Sequence, residues 1–287
     1  VKIYTILSDS HKFLFDEFFL KSLLEFEPDA ELVTINQKQV CSTGSYYDNG
    51  WKESMEQKVD TYLEAVNTND EFFIWSDVDI QFYDNFIDTC IRELGTYDIS
   101  FQEGVGQEYC AGFFICKIND STKRFFEYIK KEYHKYSCDQ QAINNNIKLI
   151  NANFLSHKFL NISFQHRQWE GQNIILKEKP ILFHANYTVG LQHKIMLLEK
   201  INHLIKNLHL NDKEEINNKI EILSAFYGIA SDVTNNILDL SGTIQITTDN
   251  LKSDPCPGNT KYIYFFDKNL NLLHKPIKER SSVVLND

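Results

Sequence analysis

The first half of the chain alternates short apolar runs with amphipathic stretches. Residues 2–7, KIYTIL, predict a strand that ends at Ser8. Over 11–25, Phe15, Phe18, Phe19 and Leu23 recur at helical spacing, with Asp9 or Ser10 as the candidate cap. A second strand is expected over Glu31–Ile35, then a loop of turn formers over 39–50 with Cys41, Gly44, Tyr46 and Gly50. A helix is expected from Trp51 to Val66. Glu71–Trp75, EFFIW, is a short apolar run bounded by acidic residues, which suits a strand buried on both faces. Helical patterning returns over 83–94, 120–136 and 139–147. Strand patterning returns over Asp98–Phe101, Gly112–Ile118 and Pro180–His184, followed by a long helix over 191–208.

Such alternation predicts an α/β fold with a mostly parallel central sheet, helices on both faces, and ligands beyond the carboxyl ends of the strands. The texture changes near residue 210. Asn211–Lys219 is polar, and Ile244–Thr248, Tyr262–Phe266 and Leu270–His274 read as strands joined by turns. The expected division is a main domain over 1–210, a linker over 211–219 and a small β-rich C-terminal domain over 220–287.

Composition narrows the class. A chain of 287 residues can bury a core without disulfides or metal staples. At 43% hydrophobic and 24% charged residues, it is neither a disordered chain nor a coiled coil. No apolar stretch approaches the roughly 20 residues that span a bilayer, so no transmembrane segment is expected. The N-terminus reads as a strand and not a signal peptide. The six cysteines form no CxxC pair, and most of them read as reduced. N-x-[ST] sequons occur at Asn119, Asn161 and Asn186, the last beside the candidate site, where a glycan would not fit. A cytoplasmic location follows as an expectation.

With 29 basic and 40 acidic residues the net charge is −11, which argues against a nucleic-acid partner. A small phosphorylated ligand stays compatible, because a divalent cation can bridge carboxylates to phosphate.

Asp77 and Asp79 follow the apolar strand directly and flank one residue. Two carboxylates held close repel unless something positive lies between them, and oxygen donors of this kind suit magnesium or manganese. Alone, the triplet also reads as a polar turn. His184 ends another apolar strand, and an imidazole can complete such a shell; a lone strand-end histidine is more often structural. Lys194, four residues after Gly190, lies in the first turn of the following helix, whose amides favour anions. Cys110-Ala111-Gly112 allows close backbone approach. Asp139-Gln140 opens a helix, where an Asp is ordinarily an N-cap. Lys58, one helical face from Trp51, reads by itself as a surface lysine. The loop aromatics Tyr46, Tyr47, Trp51 and Trp169 are candidates to stack on ligand rings, or plain packing residues.

In this order, SDVD, CAGFF, DQ and HANY…G…K resemble the GT-A nucleotide-diphospho-sugar glycosyltransferases, most nearly glycosyltransferase family 77 and more distantly the retaining enzymes of family 8. The likeness covers roughly residues 1–210. It implies a Rossmann-like catalytic domain in which Asp77, Asp79 and His184 hold Mn2+ or Mg2+. It also implies that Gly190 and Lys194 lie over the diphosphate, and that Cys110, Ala111 and Gly112 line the donor-sugar pocket. Ser8 falls where the uridine contact begins, Lys58 at a basic position on the preceding helix, and Asp139 and Gln140 near the anomeric carbon. The pattern departs from family 8 in Gln141, where a second carboxylate is usual, and in a longer His–Gly–Lys spacing. The tail resembles a small β module attached to viral and bacterial glycosyltransferases and to some lectin-like proteins.

The implied reaction is sugar transfer from a nucleotide-sugar donor, UDP-linked, to a hydroxyl of a carbohydrate or glycoconjugate, with retention favoured. Two other readings compete. A sugar-phosphate nucleotidyltransferase would want a Gly- and Arg/Lys-rich loop after the first strand, where this chain has SDSHKF. A non-catalytic carbohydrate-binding or structural protein would have no need of the DxD, His184 and DQ set together.

Overall fold

A computed structural model of the chain describes residues 1–41, 49–161, 176, 178–188 and 190–207, together with six C-terminal strands. It separates into two compact units, one of Val1–Arg167 with Lys179–Lys194, the other of Gln168–Glu178 with Ile195–Asp287.

The first unit is built on a six-stranded sheet. Its strands are β1 (Lys2–Leu7), β2 (Glu31–Asn36), β3 (Phe72–Ser76), β5 (Ile99–Glu103), β6 (Tyr109–Lys117) and β7 (Ala152–Phe154), in the order β2-β1-β3-β6-β5-β7. β1 pairs in parallel with β2 and β3, and β5 with β7, while β6 runs against both neighbours. The sheet is therefore mostly parallel with one reversed strand. A second, three-stranded sheet joins β4 (Ile80–Phe82), β9 (Leu182–His184) and β8 (Phe159–Asn161).

Side chains alternate between two cores, which explains why the central strands read as continuous apolar runs. Tyr4, Phe73, Trp75, Phe101 and Phe114 face one core, shared with Tyr62 and Ala65 of α3 (Trp51–Val66), Phe126 of α5 (Asp120–Glu132) and Ala142 of α6 (Asp139–Asn146). Ile3, Ile74, Phe113 and Ile115 face the other, shared with Phe15, Phe19 and Leu23 and with Cys90 and Leu94 of α4 (Ile87–Leu94). Helices thus cover both faces of the sheet.

Several element ends differ from the sequence pattern, each for a local reason. The stretch expected as one helix over 11–25 is a relay: a 3-10 turn over Asp9–His11, α1 (Lys12–Leu14), a π-helical segment over Phe15–Leu20 and α2 (Lys21–Phe26). No side chain caps its start. Ser22 Oγ instead donates to the carbonyls of Phe18 and Phe19 and accepts from the Phe82 amide at 3.0 Å, tying the relay to β4. The helix expected over 83–94 begins only at Ile87, because Glu27 accepts from the amides of Phe86 and Ile87 at 2.6 and 2.9 Å. Among the described residues of this unit, three short strands went unpredicted: β4, β7 and β8.

α7 (Leu191–Asn207) begins in the first unit and continues in the second. The second unit holds β10 (Ile222–Tyr227), β11 (Ser231–Asp232), β12 (Gly242–Gln245), β13 (Tyr262–Asp267), β14 (Ile277–Lys278) and β15 (Ser282–Leu285), paired as β11-β10-β13-β14 and β12-β15. The strand expected over 270–274, the linker over 211–219 and the aromatics Tyr46, Tyr47 and Trp169 lie outside the described residues. Among the described residues no helix is long and apolar enough to cross a membrane.

Candidate metal and donor site

Two pairings assemble the acidic cluster. β3 ends at Ser76, and the Asp77 amide donates to the Gly112 carbonyl of β6 at 2.8 Å. The chain then turns through Val78 and Asp79 into β4, where Ile80 lies opposite His184 of β9. The Ala185 amide donates to the Asp79 carbonyl at 2.9 Å and locks that register. Residues more than a hundred positions apart are thereby neighbours. One ligand atom each from Asp77, Asp79 and His184 lies within 4.8 Å of the others. His184 Nε2 is 3.2 Å from Asp79 Oδ1. Two carboxylates and one imidazole form a donor set suited to a hard or borderline divalent cation.

Gly112 makes the cluster possible. A Cβ on this residue would lie 2.1 Å from His184 Cε1 and 3.0 Å from Asp77 Oδ2. Only a residue without a side chain lets β6 pass behind both ligands.

Two lysines balance the carboxylates. Lys58 corrects the reading of a surface lysine: it is buried, 6% exposed, with Nζ 2.8 Å from Asp77 Oδ1 and 3.1 Å from Asp139 Oδ2. Its ammonium also lies 5.4 Å from the centre of the Trp75 ring. Burial works against its charge, but Asp139 and Asp77 more than offset this and raise its pKa. Tyr62, one turn along α3, donates to Asp139 at 2.9 Å, and Trp75 Nε1 donates to Asp77 at 2.9 Å. Asp139 is not the cap of α6. Cys138 occupies that position, and the Asp139 side chain is turned inward. Lys194 Nζ is 2.7 Å from Asp79 Oδ2.

These neighbours drive the two carboxyls apart. Burial outweighs the pull of Lys58 on Asp77, and Asp79 adds to it, so Asp77 lies above the usual carboxylate range. For Asp79 burial is overcome by Lys194 and His184, which hold it well below that range. His184 is also opposed by burial, yet Asp79 raises it to about 10.

Every predicted site residue lines one cavity of about 630 Å³. Ser8 lies at its wall, with Oγ 3.4 Å from His11 Nδ1. Cys110 Sγ sits 3.8 Å from His184 Nδ1. Ala111 accepts from the Tyr62 hydroxyl at 3.2 Å and donates to Gln140 Oε1 at 3.4 Å. Gln140 Nε2 is 3.3 Å from both Glu108 and the Tyr187 hydroxyl. Gly190, at φ +94°, takes the left-handed backbone just before α7.

Sequence reading missed His11, which lines the same cavity and whose pKa burial and Lys194 lower to about 4. Its place just after a strand end was the available signal. Tyr62, spaced four from Lys58 on one helix, was also missed.

Residues 13–198 match the model of the nucleotide-diphospho-sugar transferases. The chain belongs to that family. Its α/β sheet covered on both faces is the fold class read from the sequence, and its Asp–Asp–His cluster is fit to support metal-assisted glycosyl transfer. No curated protein matches it. Among solved structures, a galactosyltransferase, LgtC, in complex with donor and acceptor sugar analogs is 11% identical, with 76% of this chain and 98% of that one covered and a TM-score of 0.49. The glycosyltransferase GlyE of Streptococcus pneumoniae is 12% identical, covering 76% and 66%, with a TM-score of 0.45. The bifunctional WbbM is 10% identical, covering 69% and 49%, with a TM-score of 0.49.

Two outcomes are expected of this nucleotide-diphospho-sugar transferase. Gly112→Ala pushes His184 off the cluster and lowers Mn2+ affinity on the order of 10–100-fold, with unchanged far-UV circular dichroism; wild-type affinity in the variant would contradict the packing account. Because Nε2 must be unprotonated to bind a metal, and His184 otherwise holds its proton up to about pH 10, Mn2+ binding releases one proton. Affinity therefore rises about tenfold per pH unit between pH 6 and 8. Calorimetry in buffers of different ionisation enthalpy counts the proton directly.

Proposed function

We propose that the chain transfers a sugar from a UDP-sugar, with Mn2+ or Mg2+, to a hydroxyl of a carbohydrate or glycoconjugate acceptor, retaining the anomeric configuration. The observation that carries this reading is the Asp77–Asp79–His184 cluster opening into a cavity of about 630 Å³ flanked by Lys58 and Lys194. That volume is of the size that encloses a small organic ligand. The order of the four motifs supports membership of the glycosyltransferase family 77 and 8 group.

Asp77, Asp79 and His184 would hold the cation, which would supply the positive charge that stabilises the departing nucleotide. The protein's own groups do the rest. Lys194 brings a second cation to the same edge, in the first turn of α7, whose amides favour anions. Lys58 ties Asp77 and Asp139 together, with Nζ 2.8 Å from the one and 3.1 Å from the other. The Asp139 carboxylate is committed to Lys58 and Tyr62 and is ill placed to act as a free base. This supports retention, with the departing phosphate oxygen taking the acceptor proton. Gln140, at the cavity wall, is the group assigned to face the sugar.

The second unit is assigned an accessory role, structural or carbohydrate-contacting. A cytoplasmic location is supported by the sequon side chains. Asn119 caps α5 through the amides of Ser121 and Thr122, Asn161 donates to the Glu103 carbonyl, and Asn186 donates toward Cys110. Cys90, Cys110, Cys116 and Cys138 are free thiols; Cys256 lies outside the described residues.

A donor-hydrolysis screen across nucleotide sugars, read by nucleotide release, tests the proposal. UDP release that requires Mn2+ and is abolished in a folded Asp79→Ala variant is expected. Metal-independent release, or activity surviving in Asp79→Ala, would overturn the assignment.

A further inference from the structure

Gln102 is a polar side chain fully buried near the end of β5, Ile99–Glu103. It lies where the pairing of β5 with β6 slips: Phe101 faces Phe114, but the next residue, Gln102, faces Cys110. Its carboxamide leaves the main sheet and enters the three-stranded one. Nε2 donates to the carbonyls of Phe159 and Leu160 in β8, at 3.0 and 3.1 Å. Oε1 lies 2.8 Å from His184 Nδ1 in β9.

The chemistry of the partners fixes the direction of every bond. Two backbone carbonyls can only accept, so the NH2 end of the amide must face them. The remaining oxygen can only accept, so Nδ1 of His184 must carry a hydrogen. Nε2, on the other side of the ring, is the nitrogen that faces Asp79, at 3.2 Å from Oδ1. Cys110 Sγ, at 3.8 Å from Nδ1, is a longer and weaker neighbour. A ring nitrogen bound to an anchored acceptor sets both the tautomer and the orientation of a metal-binding histidine.

We propose that Gln102 is a positioning residue for His184, holding the ring with Nδ1 protonated and Nε2 presented to the cation between Asp77 and Asp79. The β8 carbonyls anchor the amide so that it cannot turn over. The proposal rests on the metal-site reading above, and its test separates the two.

Two substitutions of similar size make opposite demands. Gln102→Met keeps the volume and removes the acceptor. Gln102→Glu keeps an acceptor for Nδ1 but sets an acidic group against two carbonyls. Mn2+ calorimetry on the intact chain, with melting temperatures in parallel, should show affinity falling on the order of 10–100-fold in Gln102→Met and staying within a few-fold of wild type in Gln102→Glu, even where Gln102→Glu melts lower. A packing role alone gives the reverse order, and that result would overturn the proposal. Should either variant fail to fold, 15N-histidine spectra of wild-type protein with Mg2+ decide. A His184 ring protonated at Nδ1 and ligated through Nε2 is expected; an Nε2–H ring overturns the proposal. Wild-type protein that binds no Mn2+ removes the metal site and the positioning role together. Wild-type binding with undiminished affinity in Gln102→Met removes only the positioning role.

Discussion

The pairing of β4 with β9 is the constraint on which the site depends. β4 is three residues long, yet it carries the chain from Asp79 to a partner strand that ends in His184. The Ala185–Asp79 backbone bond fixes the register at the last position that matters. A shift by one residue would turn Asp79 and His184 to opposite faces. Gly112 then sets how closely β6 can approach from behind, and its missing side chain is filled by the His184 ring. Two backbone alignments and one absent Cβ therefore define the cluster before any ligand is considered.

The same geometry resolves the tension between an acidic protein and an anionic donor. The −11 net charge describes the whole chain, not the cavity. Inside, Lys58 spans Asp77 and Asp139, and Lys194 meets Asp79. Removing one partner from such a buried pair costs on the order of 3–5 kcal/mol, because the remaining charge is left uncompensated. The carboxylates are thus restrained by their own counter-charges, in the positions from which they can share a cation with phosphate oxygens.

Much of this was legible in the sequence where burial is two-sided or where a motif sits at a strand end. EFFIW reads as a buried strand because Phe73 and Trp75 enter one core and Ile74 the other. Asp77, Asp79 and His184 stood out because each follows an apolar run. Contacts made across long separations were not legible. The burial of Lys58 depends on Asp139, and the start of α4 depends on Glu27. β7 and β8 are too short to show a period of two. His11 carried a positional signal and Gln102, in the polar end of ISFQE, carried none, because what makes them part of the site is a neighbour from another sheet or loop.

The central claim is that Asp77, Asp79 and His184 together bind the cation that receives the donor diphosphate. Crystals grown with Mn2+ and UDP test it directly through anomalous scattering at the manganese edge. The account predicts a single strong peak ligated by both carboxylates and His184 Nε2, with the UDP diphosphate completing the shell. A UDP bound in the cavity with no manganese between these three side chains, or manganese held elsewhere, would contradict it.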